Sequence, residues 1–371
     1  MIRESAANWT RNVYRPLRRA GLRMLRKPIA GTTRISRQPE RYFALDHARF
    51  ALIALVVAGH LLEQLVDSGP WAAAAYRWIY LFHMPAFVLI SGALSKPNLT
   101  RRRAFKLVTG LLVPYLVFQT LYPAWDAWLF RDSWSHDYLT PYWLLWYLPS
   151  LACWRLLLPW FARLKFALPL AVAIALAAGA APWIGYPFSL SRTLVFFPVF
   201  LLGHRIGAPR LQRLGSARSS RIAAILVLAT AAVGAWLLRD FDPEWLYAAT
   251  GYAALGRAAL PGAAIRLALL AASAACAFAM IALMPRRSRW AGLGRRSLTA
   301  YLVHGFLVRG LIAAGVFVWL GRALPSPAEL ATCLVAGLLI AATLSTRAVD
   351  QLAAPLTRPV TWILGLWRHP A

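Results

Sequence analysis

The sequence predicts an all-α fold: a polytopic transmembrane helix bundle of about ten spans with both termini cytoplasmic. Composition is the first reason. Of 371 residues, 60% are hydrophobic and 15% charged, where a soluble domain carries roughly 25% charged residues. Mean hydropathy is +0.54. Patterning is the second reason. Ten apolar runs lie near residues 46–66, 76–95, 107–125, 141–160, 166–184, 190–206, 220–239, 263–284, 298–320 and 328–346, each close to the ~20 residues a helix needs to cross a bilayer. Charge is the third. The connections alternate between basic and acidic or uncharged, and basic connections stay on the cytoplasmic side.

In chain order, a basic tail comes first, residues 1–41, with Arg11, Arg15, Arg18, Arg19, Arg23, Arg26 and Lys27 among its charges. It lacks the apolar stretch and small-residue cleavage site of a signal peptide. Leu17, Leu22, Met24 and Leu25 among these arginines suit either a short interfacial helix on anionic lipid or a solvated tail. The membrane domain spans 42–346, and a short cytoplasmic tail follows at 347–371. Run one ends outside at Asp67, and run two returns to the Lys96–Lys106 link with Arg101, Arg102 and Arg103. Run three leads out to Asp126, Asp132 and Asp137, and run four back to Arg163 and Lys165. Run five reaches an uncharged stretch around Tyr186; run six returns to Arg205, Arg210, Arg213, Arg218 and Arg221. Run seven leads to Asp240, Asp242 and Glu244, and run eight to Arg286, Arg287, Arg289, Arg295 and Arg296. Runs nine and ten are joined by a Pro325–Pro327 turn. Residues 240–262 leave room for a half-span or interfacial segment.

The net charge of +28 would suggest nucleic acid in a soluble chain. Here the charge sits in the tail and in alternate connections, so the expected partner is the lipid bilayer and no nucleic acid. Cys153, Cys276 and Cys333 all fall in apolar runs without paired spacing. They are expected to be small apolar residues, not disulfide or metal ligands.

The first run, DHARFALIALVVAGHLLEQLV, holds the most informative residues. An ionisable group at membrane depth costs several kcal/mol and is a functional-site hypothesis by default. Eleven residues at about 100° each put Arg49 and His60 on one face, about 16 Å apart. Asp46 and Glu63 flank that face about 60° away, so four polar side chains form one stripe. The alternative is that Asp46 and Arg49 snorkel while His60 makes a helix contact. The second run adds His83, with Pro85 loosening the helix ladder beside it; the ninth adds Tyr301 and His304. Arg155 and Arg309 are further charges in or near the membrane. For each alone, a helix contact is the commoner role; their concentration on three runs favours a site.

The chemistry follows from the residue types. Imidazole titrates near neutral pH, so His60 suits a general base or acyl carrier. Glu63, one turn on, would orient its ring and stabilise the imidazolium. Arg49 is a fork for phosphate, and Arg103 and Lys106 on the same side could help hold a phosphorylated cytosolic donor or merely obey the positive-inside rule. A base about 16 Å beyond the phosphate anchor suits a long thin donor such as acyl-coenzyme A. Guanidinium and imidazole are expected to open onto one common tunnel.

On these residues the sequence resembles the acyltransferase-3 family of integral membrane acyltransferases. The resemblance rests on Asp46, Arg49 and His60 in ALDHARFALIALVVAGH, and on His83, Pro85, Ser91 and Gly92 in FHMPAFVLISGAL. It extends through Pro114 and Tyr115 in LLVPY, Trp146, Tyr147 and Leu148 in LLWYLPSL, and Gly294, Ser297, Tyr301 and His304 in GRRSLTAYLVH, covering about residues 42–345. It implies acyl-coenzyme A, usually acetyl-coenzyme A, as donor, with no metal. It implies a sugar hydroxyl in a surface or exported glycan as acceptor, as in the sugar O-acetylase subgroup related to fucose acetylases. Arg49 and His60 would be the essential pair. Where the family often carries an Arg-x-x-Arg pair, this chain has Arg103 and Lys106. The resemblance places the protein in a bacterial cytoplasmic membrane. With no hydrolase-like domain after the last run, the acceptor would be handled by the membrane core or by a separate extracytoplasmic partner protein. A transporter or flippase for a sugar or lipid-linked sugar is the competing reading, since aligned intramembrane polar groups also suit proton coupling. Against it, no inverted repeat is visible.

Overall fold

A bilayer interior offers no water to the backbone, so an apolar run must pair its amides within itself. The computed structural model, which describes residues 41–134, 137–287 and 290–366, shows that outcome. It is 78% helix, with no strand among the described residues. The basic tail, with its choice between interfacial helix and solvated chain, lies outside the described residues.

Every apolar run is helical. Runs one to three are α1 (Phe43–Leu62, continued by a 3-10 turn Glu63–Leu65), α2 (Pro70–Leu94) and α3 (Arg101–Phe130, with a π-helical turn Val108–Leu112). Runs four to six are α4 (Tyr147–Phe161, after a 3-10 turn Trp143–Trp146), α5 (Ala167–Ala178) and α6 (Leu190–Ile206). A short α7 (Ala208–Arg213) leads to α8 (Arg218–Leu237) and α9 (Glu244–Tyr247). Then come α10 (Ala259–Leu283), α11 (Ala291–Gly294), α12 (Ser297–Ala313), α13 (Val316–Ala323) and α14 (Ser326–Leu344). Three short helices, Arg347–Leu352, Ala354–Thr357 and Pro359–Leu366, close the described chain.

Length separates these helices. Six are long and apolar enough to cross a membrane: the first three, α8, α10 and α14. The pair α12 and α13, bent by 66°, makes a seventh if it is one span. Helices α4, α5 and α6 have 15, 12 and 17 residues. At 1.5 Å per residue they reach about 22, 18 and 26 Å, short of a ~30 Å hydrocarbon core. Ten helical runs are therefore present, while six or seven meet the length and composition expected of a span.

The connections gather at two ends. At the basic end Arg286 donates to the carbonyls of Gln212 (3.0 Å) and Arg213 (3.2 Å), Arg205 to Leu164 (3.3 Å), His204 to Ser95 (3.0 Å) and Arg296 to Ser345 (3.3 Å). At the other, acidic end, Asp126, Asp137, Tyr186 and Glu244 line one cavity.

Two contacts fix the centre. Gly92 on α2 and Gly203 on α6 meet the partner helix's backbone: a Cβ on Gly92 would overlap the Phe200 carbonyl, and one on Gly203 the Leu89 carbonyl. Only glycine allows so close a crossing. Pro85 cannot donate to the carbonyl four residues back, Leu81. Ser273 of α10 donates to that oxygen instead, at 2.6 Å. Helix α2 therefore runs unbroken through Pro85, with His83 and Met84 beside it lining the cavity.

Residues 240–262 hold no half-span. They form an irregular segment around the four-residue α9 before α10 begins. Trp245 and Tyr252 are buried, so its carbonyls need donors. Arginines supply them: Arg77 to Phe241 (2.7 Å), Arg192 to Tyr247 (3.1 Å), and Arg266 to Trp245 (3.0 Å) and Thr250 (3.3 Å).

Candidate active site

Helix α1 is the innermost span, with 72% of its apolar window buried against 11% for α8. It packs against α2, α11, α12 and α14, and its polar stripe is partly buried among them. The stripe forms two pairs. At the basic end Arg49 Nη1 lies 3.5 Å from Asp46 Oδ1. At the other end His60 Nδ1 lies 2.9 Å from Glu63 Oε2.

The His60 pair opens onto a cavity of about 730 Å³ at the acidic end, within the range of small-molecule sites. Its wall is assembled from α1 (His60, Glu63), α2 (Tyr76, Tyr80, His83), α3 (Gln119, Asp126), the 131–146 connection, α6 (Arg192), α9 (Glu244, Tyr247) and α12 (Tyr301). The connection is held by Gln119, whose amide donates to the carbonyls of Asp137 (2.5 Å) and Thr140 (2.8 Å) and accepts from the Tyr142 N–H (2.8 Å). That hold places Trp143 against His60, with ring centroids 4.3 Å apart.

The tautomers follow from the partners. When His60 Nδ1–H donates to the Glu63 carboxylate, Nε2 is the free lone pair. His83 Nδ1–H donates to the Ile79 carbonyl (2.8 Å), leaving Nε2 as an acceptor in the cavity wall. His304 Nδ1–H donates to Ala300 (3.0 Å). Its ring is fully buried and stacked on His60, centroids 5.4 Å apart, and its Nε2 has no partner. Tyr301 lines the cavity and donates to the Leu144 carbonyl. At the mouth Arg309 grips Asp126 with two bonds of 2.7 Å, and Tyr142 donates to the same carboxylate.

The structure thus brings His60, Glu63, His83 and Tyr301 together, with His304 behind His60. It does not bring Arg49 to the cavity wall. Arg49 instead bears electrostatically on Tyr147 and Arg155. Tyr147 is hydrogen-bonded to Ser91 (2.7 Å), and its ring lies 6.1 Å from that of Tyr301. The space that His60 lines does not extend to Arg49, so no single cavity joins the two groups among the described residues. Arg103 and Lys106 lie in the first turns of α3. Arg103 donates to Asn98 (2.8 Å), Lys106 is exposed, and neither lines the cavity.

Sequence reasoning missed Arg192, the one arginine or lysine among the described residues of the cavity wall. Its guanidinium stacks on Trp146 (5.2 Å) and Tyr186 (5.0 Å). It stands third in its apolar run, and a lone arginine without a nearby carboxylate in sequence was the available signal. Outside the helical spans, Asp137 is held below the usual carboxylate range by the Thr140 hydroxyl and the Leu139 N–H. Burial, with Asp242 nearby, pushes Glu244 up.

Comparison with known proteins now fixes the class. The chain belongs to the acyltransferase-3 family, whose acyltransferase domain matches residues 42–346. It carries that family's acyltransferase domain and several apolar helices, six of them long and apolar enough to cross a membrane. Among curated proteins it is similar to Nodulation protein NolL of Mesorhizobium japonicum, 39% identical over 89 residues, covering 22% of this chain and 24% of that protein. It is also similar to Nodulation protein NolL of Sinorhizobium fredii, 32% identical over 122 residues, covering 29% of this chain and 33% of that protein. The matched stretches thus span a quarter to a third of those relatives. No solved structure matches.

Proposed function

We propose that this protein is an acyl-coenzyme A-dependent O-acyltransferase of a bacterial cytoplasmic membrane, moving an acyl group, most simply acetyl, to a hydroxyl of a surface or exported glycan. The observation that carries this reading is the His60–Glu63 pair opening onto the cavity at the end opposite the basic connections. In this reading the chain makes ten passes, the three short helices lying in locally thinned or tilted positions, with both termini cytoplasmic. The donor then arrives at the basic end and the acceptor at the acidic end.

His60 Nε2 takes the proton of the acceptor hydroxyl as its oxygen attacks the thioester carbonyl. The tetrahedral intermediate collapses, the C–S bond breaks, and the leaving thiolate recovers the proton from the imidazolium. Glu63 stabilises that imidazolium and fixes the ring. Arg49, aided by Arg103 and Lys106, holds donor phosphates. The thioester must reach about 16 Å from Arg49 to His60, and Arg49 lies outside the cavity that His60 lines. A separate acceptor-carrying protein on the outer side is compatible with an open acidic mouth.

The test is to supply purified protein in proteoliposomes with labelled acetyl-coenzyme A and outer-face glycan acceptors and follow label into glycan. Glycan uptake with no donor consumed would favour transport instead.

A further inference from the structure

The charge distribution of the cavity carries one step more, and it rests on the acyl-transfer reading. Five of the chain's 13 acidic residues line this one cavity: Glu63, Asp126, Asp132, Asp137 and Glu244. Arg192 is the single arginine or lysine among the described residues of its wall, in a chain of net charge +28. Two of the five are engaged, Glu63 by His60 and Asp126 by Arg309. Asp132 and Asp137 come from the 131–146 connection and Glu244 from α9, and the three make no ion pair among the described residues.

Two independent features say that this space receives a ligand. Aromatic rings, among them Tyr80, Tyr142, Trp143 and Trp146, line it, giving flat apolar faces suited to the C–H faces of sugar rings. His83 is 4% exposed, lines the cavity, and has only its Nδ1 occupied. Its Nε2 is left as an acceptor in the cavity wall, suited to a hydroxyl or an ammonium.

We infer that the acidic end selects its acceptor by charge: it takes neutral or amine-bearing sugars and turns away sugars carrying carboxylate or phosphate groups. Carboxylates at the mouth repel an anionic acceptor before it reaches His83 and His60. Arg192 does not reverse this, because it is stacked between two rings and committed through Nε to the Tyr247 carbonyl.

The experiment is calorimetric titration of the full-length protein in detergent, without acyl donor, using three probes of equal length: a glucose oligosaccharide, its C6-oxidised uronic acid form and its 2-amino form. At low salt the neutral and amino probes should bind, and the uronic probe roughly three- to tenfold more weakly per repelling charge. The gap should shrink toward none at 0.5 M salt (~4 Å screening length). It should also shrink in the Asp132→Asn, Asp137→Asn, Glu244→Gln variant, the salt titration of the wild type standing in if that variant does not fold. Uronic binding equal to or tighter than neutral, or no binding of any probe, overturns the inference. Charge-ranked binding without any transfer from acetyl-coenzyme A would instead remove the acyl-transfer reading and leave the selectivity standing.

Discussion

Arg49 and His60 ride one face of one helix, yet the two ends of that face differ in every physical respect. Arg49 lies among cations, 29% exposed, paired loosely with Asp46 at 3.5 Å, and away from the cavity. His60 is 12% exposed, bonded to Glu63 at 2.9 Å and enclosed by Trp143, Tyr80 and His304. Under the proposed acyl-transfer function the difference is a division of labour: the looser, more exposed end would capture a charged donor, and the packed end would carry proton transfer, which needs a fixed ring.

The largest expected effect breaks the packed end. His60→Ala should lower kcat at least 100-fold with unchanged yield and thermal unfolding of the purified protein. Arg49→Ala acts at the other end and should instead raise the KM for acetyl-coenzyme A about 10- to 100-fold. Arg49→Lys should recover little of it, since a point charge cannot replace a fork. A similar kcat loss in both variants with unchanged KM would erase the distinction between the ends. Glu63→Gln keeps a hydrogen bond but loses the charge that steadies the imidazolium, and should cost kcat about tenfold or more. Smaller still, Arg309→Lys breaks the two-bond grip on Asp126 and should cost about 1–3 kcal/mol of stability, read as a lower unfolding temperature with little change in donor KM.

Much of this was legible in the sequence because the membrane simplifies the physics. An apolar run in lipid has to be a helix, and all ten runs are. The stripe on α1 followed from helical spacing, and its pairing of His60 with Glu63 needed only a one-turn offset. What the sequence hid depends on tertiary packing. Trp143 reaches His60 because Gln119 holds a connection whose residues show no periodicity. Residues 240–262 read as room for a half-span, but their carbonyls are gripped by Arg77, Arg192 and Arg266 from three different helices, which no local pattern reveals. The separation of Arg49 from the cavity was equally invisible, because the cavity wall is assembled from elements distant in sequence. Run length also hid the helix length at α5, where a 12-residue helix sits inside a 19-residue apolar stretch bounded by turns.

The central claim is that His60 performs the transfer while donor capture lies elsewhere. The most direct measurement is a paired one on purified His60→Ala protein: the Kd for acetyl-coenzyme A by titration, and label transfer at saturating donor. The account predicts a wild-type Kd and transfer reduced at least 100-fold. Transfer at the wild-type rate would contradict it.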